Sequence, residues 1–171
     1  MNGETISDRA ARNVVLLHGH PDLTVTWSRY GPGELGPDLH VHHEHTDAFY
    51  VLDGELTFDV GPEPRTIRVA AGGFVAVPPD VGHGFRNESE ADVRWLNFHA
   101  PDKGFAEYMR GARDGVSVDF DSFDVPDGGG LPADLVTVNA SGGADLPELR
   151  VRPDGAQVVV EAGGQVLRLD A

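Results

Sequence analysis

At 171 residues the chain can form one core-bearing domain, with little left for a second. Hydrophobic residues make up 40% and charged residues 24%, ordinary for a globular protein, and no run of about eighteen apolar residues is present to span a membrane. The formal charge of −15, with Lys103 the single lysine, argues against nucleic acid and anionic lipid as partners, and the absence of cysteine excludes disulfides and thiolate metal sites.

Residues 1 to 12 read as a polar arm, poorly ordered or reaching to a partner subunit. They lack the apolar segment of a secretory leader, so the expected location is the cytoplasm. Asn13 to Gly19 is β-prone, and His20-Pro21-Asp22 turns the chain. Leu23 to Tyr30 alternates as a strand, with Val25 and Trp27 on one face and Thr24, Thr26 and Ser28 on the other. Gly31-Pro32-Gly33 and Gly36-Pro37 form a rigid loop leading to His40. Asp47 to Leu52 and Glu55 to Val60 predict a hairpin across Asp53-Gly54. Arg65 to Ala70, Phe74 to Val77, His83 to Arg86 and Val93 to His99 complete a set of eight or nine short strands. Turn signals at near-regular intervals make this an all-β antiparallel sandwich or barrel. Pro101-Asp102 opens the one convincing helix, predicted over 101–112 and packed outside the strands. Phe105, Tyr108 and Met109 form its apolar stripe, and Gly111 is its stop signal. The acidic, glycine-rich stretch from Arg113 to Gly130 reads as a wrapping loop anchored by Phe120 and Phe123. In the tail, Leu135 to Val138, Leu149 to Arg152, Ala156 to Glu161 and Gln165 to Leu169 read as accessory strands. Hairpin turns at Asp154-Gly155 and Gly163-Gly164 join the last three, and these strands either extend a sheet or pair with a partner subunit.

Chemistry concentrates in His40-Val41-His42-His43-Glu44-His45-Thr46-Asp47. His40 and His42 leave the same face of a strand-like run, and a turn brings the carboxylate of Asp47 back beside them. Imidazole nitrogens and a carboxylate converging on one point form a mixed nitrogen–oxygen ligand set for a divalent metal. A further ligand is offered by Gly72-Gly73-Phe74-Val75-Ala76-Val77-Pro78-Pro79-Asp80-Val81-Gly82-His83. There His83 starts a strand and shares a face with Phe85 and Asn87.

These two stretches resemble the two cupin motifs. The first has Gly36, one position out of place, followed by His40, His42, Asp47 and Gly54. The second has Gly72, Pro78, His83 and Asn87, and residues 55 to 71 separate the two. The resemblance implies a jelly-roll, or double-stranded β-helix, barrel over residues 13–100, with the helix at 101–112 and the β-rich tail over 113–171. It also implies one divalent transition metal per chain (Fe, Mn, Ni, Cu, Co or Zn) on His40, His42, Asp47 and His83, and a homodimer. Two positions depart from the family pattern. Asp47 stands where glutamate is usual, shortening the reach by roughly 1.5 Å, so that it either ligates directly or holds a bound water. Asp80 replaces a turn glycine, a mild change because aspartate tolerates left-handed backbone.

Of the remaining histidines, His43 and His45 read as solvated loop residues, and His18 and His20 as structural. His99 shares a face with Trp95 and Asn97 that either lines a pocket or is covered by the helix. Arg29 and Arg86 read as partners in exterior salt bridges. Three imidazoles and at most one carboxylate leave coordination positions open, a catalytic arrangement. The resemblance implies O2-dependent cleavage of a chelating enol or flavonol-like small molecule when the metal is redox-active. With zinc it implies Lewis-acid cyclisation or isomerisation, in which an unligated Asp47 would be the catalytic base. A non-enzymatic sensor or carrier is the competing class. A DNA-binding helix pair is not visible. A sugar-phosphate isomerase is disfavoured because the barrel segment has neither a lysine nor clustered arginines.

Overall fold

The computed structural model describes residues 3–170. The chain runs through strands β1 (Glu4–Arg9), β2 (Arg12–His20), β3 (Leu23–Tyr30), β4 (His40–Val41), β5 (Thr46–Asp53), β6 (Glu55–Val60), β7 (Arg65–Ala70), β8 (Phe74–Val77), β9 (His83–Arg86) and β10 (Val93–Ala100). Helix α1 (Phe105–Asp114) follows, then β11 (Phe123–Asp124), β12 (Thr137–Asn139), β13 (Ala144–Asp145), β14 (Arg150–Asp154), β15 (Gln157–Ala162) and β16 (Gln165–Asp170). The named strands form three antiparallel sheets: a seven-stranded sheet ordered β1-β2-β3-β10-β5-β8-β12, a five-stranded sheet ordered β11-β4-β9-β6-β7, and a four-stranded sheet ordered β13-β14-β15-β16.

The first two sheets face each other as a jelly roll. Between them lies an apolar core of Phe49, Val51, Val75, Val77 and Trp95 from one sheet and Leu56, Phe58, Val60 and Val69 from the other. Alternation along β10 sends Trp95, Asn97 and His99 inward and Leu96 and Phe98 outward. The outward residues are nevertheless fully buried, because Leu149, Val151, Val158 and Val160 of the C-terminal sheet pack on them. The middle of the seven-stranded sheet is thus covered on both faces, which is why β5 reads as an unbroken buried run through Val51.

Two glycines are dictated by close approach. A Cβ on Gly36 would sit 2.2 Å from the Phe85 carbonyl oxygen, the same atom its own N–H bonds at 3.0 Å. The hairpin expected across Asp53-Gly54 does not form: β5 and β6 lie in different sheets, and Gly54, with φ 76°, turns the chain from one to the other where a Cβ would meet the Asp92 carbonyl at 2.5 Å. Asp80 holds the left-handed turn expected of it, with φ 65°. Arg29 and Arg86 pair with Asp92 and Asp59, as expected.

Four further expectations are corrected. The N-terminal segment is a strand: β1 pairs along β2 through residues 4 to 9 and forms the edge of the large sheet. Gly111 does not end the helix. It lies inside α1, where a Cβ would stand 2.6 Å from Val118, and the left-handed Gly115 is the stop. The helix is also more than an outer layer, since Phe105, Tyr108 and Met109 line an interior cavity. The tail divides: β12 extends the seven-stranded sheet beside β8, while β13 to β16 form the separate covering layer. Among the described residues no helix is long and apolar enough to cross a membrane.

Candidate metal centre

His40 lies directly opposite His83 in the β4–β9 pair, so two imidazoles come from the five-stranded sheet. Asp47, near the start of β5, approaches from the facing sheet, and His42 enters from the turn after β4. Ligand atoms of His40, His42, Asp47 and His83 all lie within 4.8 Å of one another. His42, Asp47 and His83 are buried. The sequence spacing therefore brings together the four residues it singled out.

Hydrogen bonds prepare three of these rings alike. Nδ1–H of His40 donates to the Asp38 carbonyl (2.8 Å), that of His83 to the Val81 carbonyl (3.0 Å), and that of His42 to the Asp121 carbonyl. A neutral imidazole bonded through Nδ1–H carries its lone pair on Nε2. Nε2 of His42 is buried without any hydrogen-bond partner, an arrangement that is costly unless an electron-pair acceptor stands in front of it. Asp47 Oδ2 lies 3.2 Å from His83 Nε2 and 3.7 Å from His42 Nε2. Ligand pairs around a four-coordinate cation with bonds of about 2.1 Å are separated by roughly 3.4 Å. Donor type, tautomer and spacing all fit a divalent transition metal.

Electrostatics agree with the donor chemistry. Burial, reinforced by His83 and His42, pushes the His40 imidazole down to about 4, so its nitrogen is unprotonated at neutral pH. Burial would raise the Asp47 carboxyl, but the surrounding imidazoles outweigh it and hold the group well below the usual carboxylate range. Asn97 Nδ2–H also donates to Asp47 Oδ1, at 2.5 Å.

A second layer contains residues that sequence reasoning misplaced. His45 is not a solvated loop residue: it is buried, and its Nδ1–H donates to Asp121 Oδ2 at 2.7 Å. Its Nε2 lies 2.8 Å from Nδ1 of His99, and His99 Nε2 lies 3.1 Å from Asn97 Oδ1. Asp121 at one end and the Asn97 oxygen at the other both accept. Two neutral rings therefore bring two protons to three short contacts. Burial pushes His45 down to about 4 and His99 well below its ordinary value. His99 lies opposite Asp47 in the β10–β5 register, and its ring stacks on Phe105 at 3.5 Å. Its inward alternation with Trp95 and Asn97 was the available signal. Asp121 had none, because it reaches the motif from a loop beyond the helix. Besides binding His45, its carboxylate accepts the N–H groups of His43 (2.9 Å) and Glu44 (2.8 Å). His43 remains half exposed against Asp80, and Thr46 donates its hydroxyl to Glu148 of the tail.

Over the centre lies a cavity of about 270 Å³, with His40, His42, Asp47 and His99 on its polar side. Aromatic side chains, Phe120 among them, share its remaining walls with Arg12 and the hydroxyls of Thr26, Ser28 and Ser122. His18 and His20 stack on each other and take no part in it.

Comparison with known proteins follows this geometry. Residues 26–99 match the Cupin_2 family of cupin domains, a span holding all four candidate ligands. KdgF from Halomonas sp. is similar in structure, with a TM-score of 0.51 and 20% sequence identity over 60% of this chain and 89% of that one. The bacterial pirin YhhW from Escherichia coli, solved in complex with nickel(II), has a TM-score of 0.51 and 14% identity over 58% of this chain and 48% of that one. No curated protein matches the chain in sequence. Residues 26–99, which carry both motifs, thus match a cupin domain, and the two facing sheets around the inward histidine cluster share the fold of these structural neighbours.

Proposed function

We propose that the protein is a metal-dependent enzyme that binds one divalent transition metal on His40, His42, Asp47 and His83 and acts on a small enol-bearing molecule. The observation that carries this reading is the unpartnered, buried Nε2 of His42, aligned with two further imidazoles whose Nδ1 atoms are committed to backbone carbonyls. Such a cation would supply Lewis acidity and, if redox-active, reactivity toward dioxygen. The chain's residues do the remaining work. The aromatic cavity excludes water, and the ligand set leaves room for a substrate oxygen. Asn97 orients the Asp47 carboxylate through Oδ1, leaving Oδ2 to face His42 and His83. Oxygen-dependent cleavage is the first reading of the reaction. Lewis-acid cyclisation or isomerisation on a metal held by the three histidines is the second, in which an unligated Asp47 carboxylate takes a proton from a bound carbon acid.

Elemental analysis of protein purified without added metal, followed by oxygen uptake on a panel of β-diketones and catechols, tests the reading. Iron, manganese, nickel or copper near one per chain with uptake abolished in His42→Ala supports oxygen chemistry. Zinc, with substrate-proton exchange lost in Asp47→Asn, supports the second reaction. An intact fold that takes up no metal leaves a non-enzymatic binding role.

A further inference from the structure

We infer that the cavity selects a planar, single-ring ligand whose only ionisable group is the oxygen pair facing the centre. This rests on the metal-centre reading only for what the oxygens meet; the selection for size and charge belongs to the walls. At about 270 Å³ the cavity lies below the roughly 300–1,000 Å³ of sites that take drug-sized ligands. Filled at the density of a protein interior, it holds roughly fifteen non-hydrogen atoms, room for one substituted ring but short of the three of a flavonol.

Shape and charge point the same way. Two aromatic groups bound the space. Tyr30, Phe85 and Trp95 contact one another, with the Tyr30 and Trp95 rings edge-on at 4.7 Å. Phe105, Tyr108 and Phe120 form the other group, with Tyr108 and Phe120 4.4 Å apart. Flat faces and ring edges at these positions suit an aromatic or enolised ring. The one basic side chain bordering the cavity, Arg12, is already engaged. Its Nε donates to Glu34 at 2.7 Å, its Nη2 to the Leu35 carbonyl, and its guanidinium lies 4.6 Å from the Tyr30 ring centre. The other polar groups around these walls are neutral: the hydroxyls of Thr26, Ser28, Tyr30, Tyr108 and Ser122 and the indole N–H of Trp95. A carboxylate or phosphate carried on the ring would therefore be desolvated against aromatic surface without a counter-ion.

Calorimetric titration of the zinc-loaded full chain with catechol, 3,4-dihydroxybenzoate and 3-hydroxyflavone tests the inference. Catechol should bind at least tenfold more tightly than either of the others, and Phe120→Ala should weaken it at least fivefold with metal content unchanged. Equal or tighter binding of the benzoate or the flavonol would overturn it. Elemental analysis of the same sample keeps the two readings apart, because a chain that takes up no zinc defeats the metal centre alone. Quenching of tryptophan fluorescence by phenol and benzoate in the metal-free chain then decides the selection: preference for phenol sustains it, and parity or preference for benzoate ends it.

Discussion

Asp121 shows how much of the candidate metal centre is decided by residues outside its four donors. Its carbonyl fixes the His42 tautomer, while its carboxylate holds His43, Glu44 and His45. Burial alone would raise that carboxyl, yet the two N–H donors and the His45 ring hold it below the usual carboxylate range. Replacing the side chain leaves the carbonyl in place but releases the turn between His42 and Asp47. Asp121→Ala should lower zinc affinity about 10- to 100-fold, as loss of an outer hydrogen-bond partner does, with the circular dichroism spectrum unchanged. Competition against a chromophoric chelator measures it. At this scale the sequence was half legible. His40 and His42 share a face by strand alternation, and His83 stands at a strand start, so local periodicity reveals all three. His45 does not alternate with them, and its partner Asp121 lies 76 residues away. No local pattern encodes that contact.

Strand identities were read well because β5, β6, β8, β9 and β10 carry clear apolar runs between turn residues. The placement of the tail was not, because hydrophobic alternation in β14 and β15 states that a face is buried without saying against what. The structure answers by packing Leu149, Val151, Val158 and Val160 on the outward residues of β5 and β10. Leu149 is 1% exposed, so Leu149→Ala should cost about 2–5 kcal/mol of unfolding free energy. Urea denaturation of the metal-free chain checks this, and a loss under 1 kcal/mol would mean the layer is only loosely seated. Helix α1 was legible as a helix, but its glycine was misread. Gly111 serves a close contact with Val118, and composition does not separate a packing glycine from a terminating one.

For the molecule as a whole, acid is the natural stress. His40 and His45 titrate near 4 in the folded state against an ordinary 6.5, so the unfolded chain binds more protons as pH falls. Their contribution is complete above about pH 6.5 and drains away between there and about 4. Metal-free protein should lose about 2 kcal/mol per imidazole by pH 5, measured as a falling urea midpoint between pH 7.5 and pH 5. An unchanged midpoint over that range would show that these rings are not held neutral by burial.

The tie between Thr46 and Glu148 gives the accessory layer a hand in placing Asp47. It fastens the backbone one residue ahead of Asp47 to a segment more than a hundred positions downstream, so a protease nick or a trimmed terminus there reaches the carboxylate within a single peptide link. Anyone shortening this polypeptide to its matched span would keep every donor atom and still slacken the strand that aims one of them.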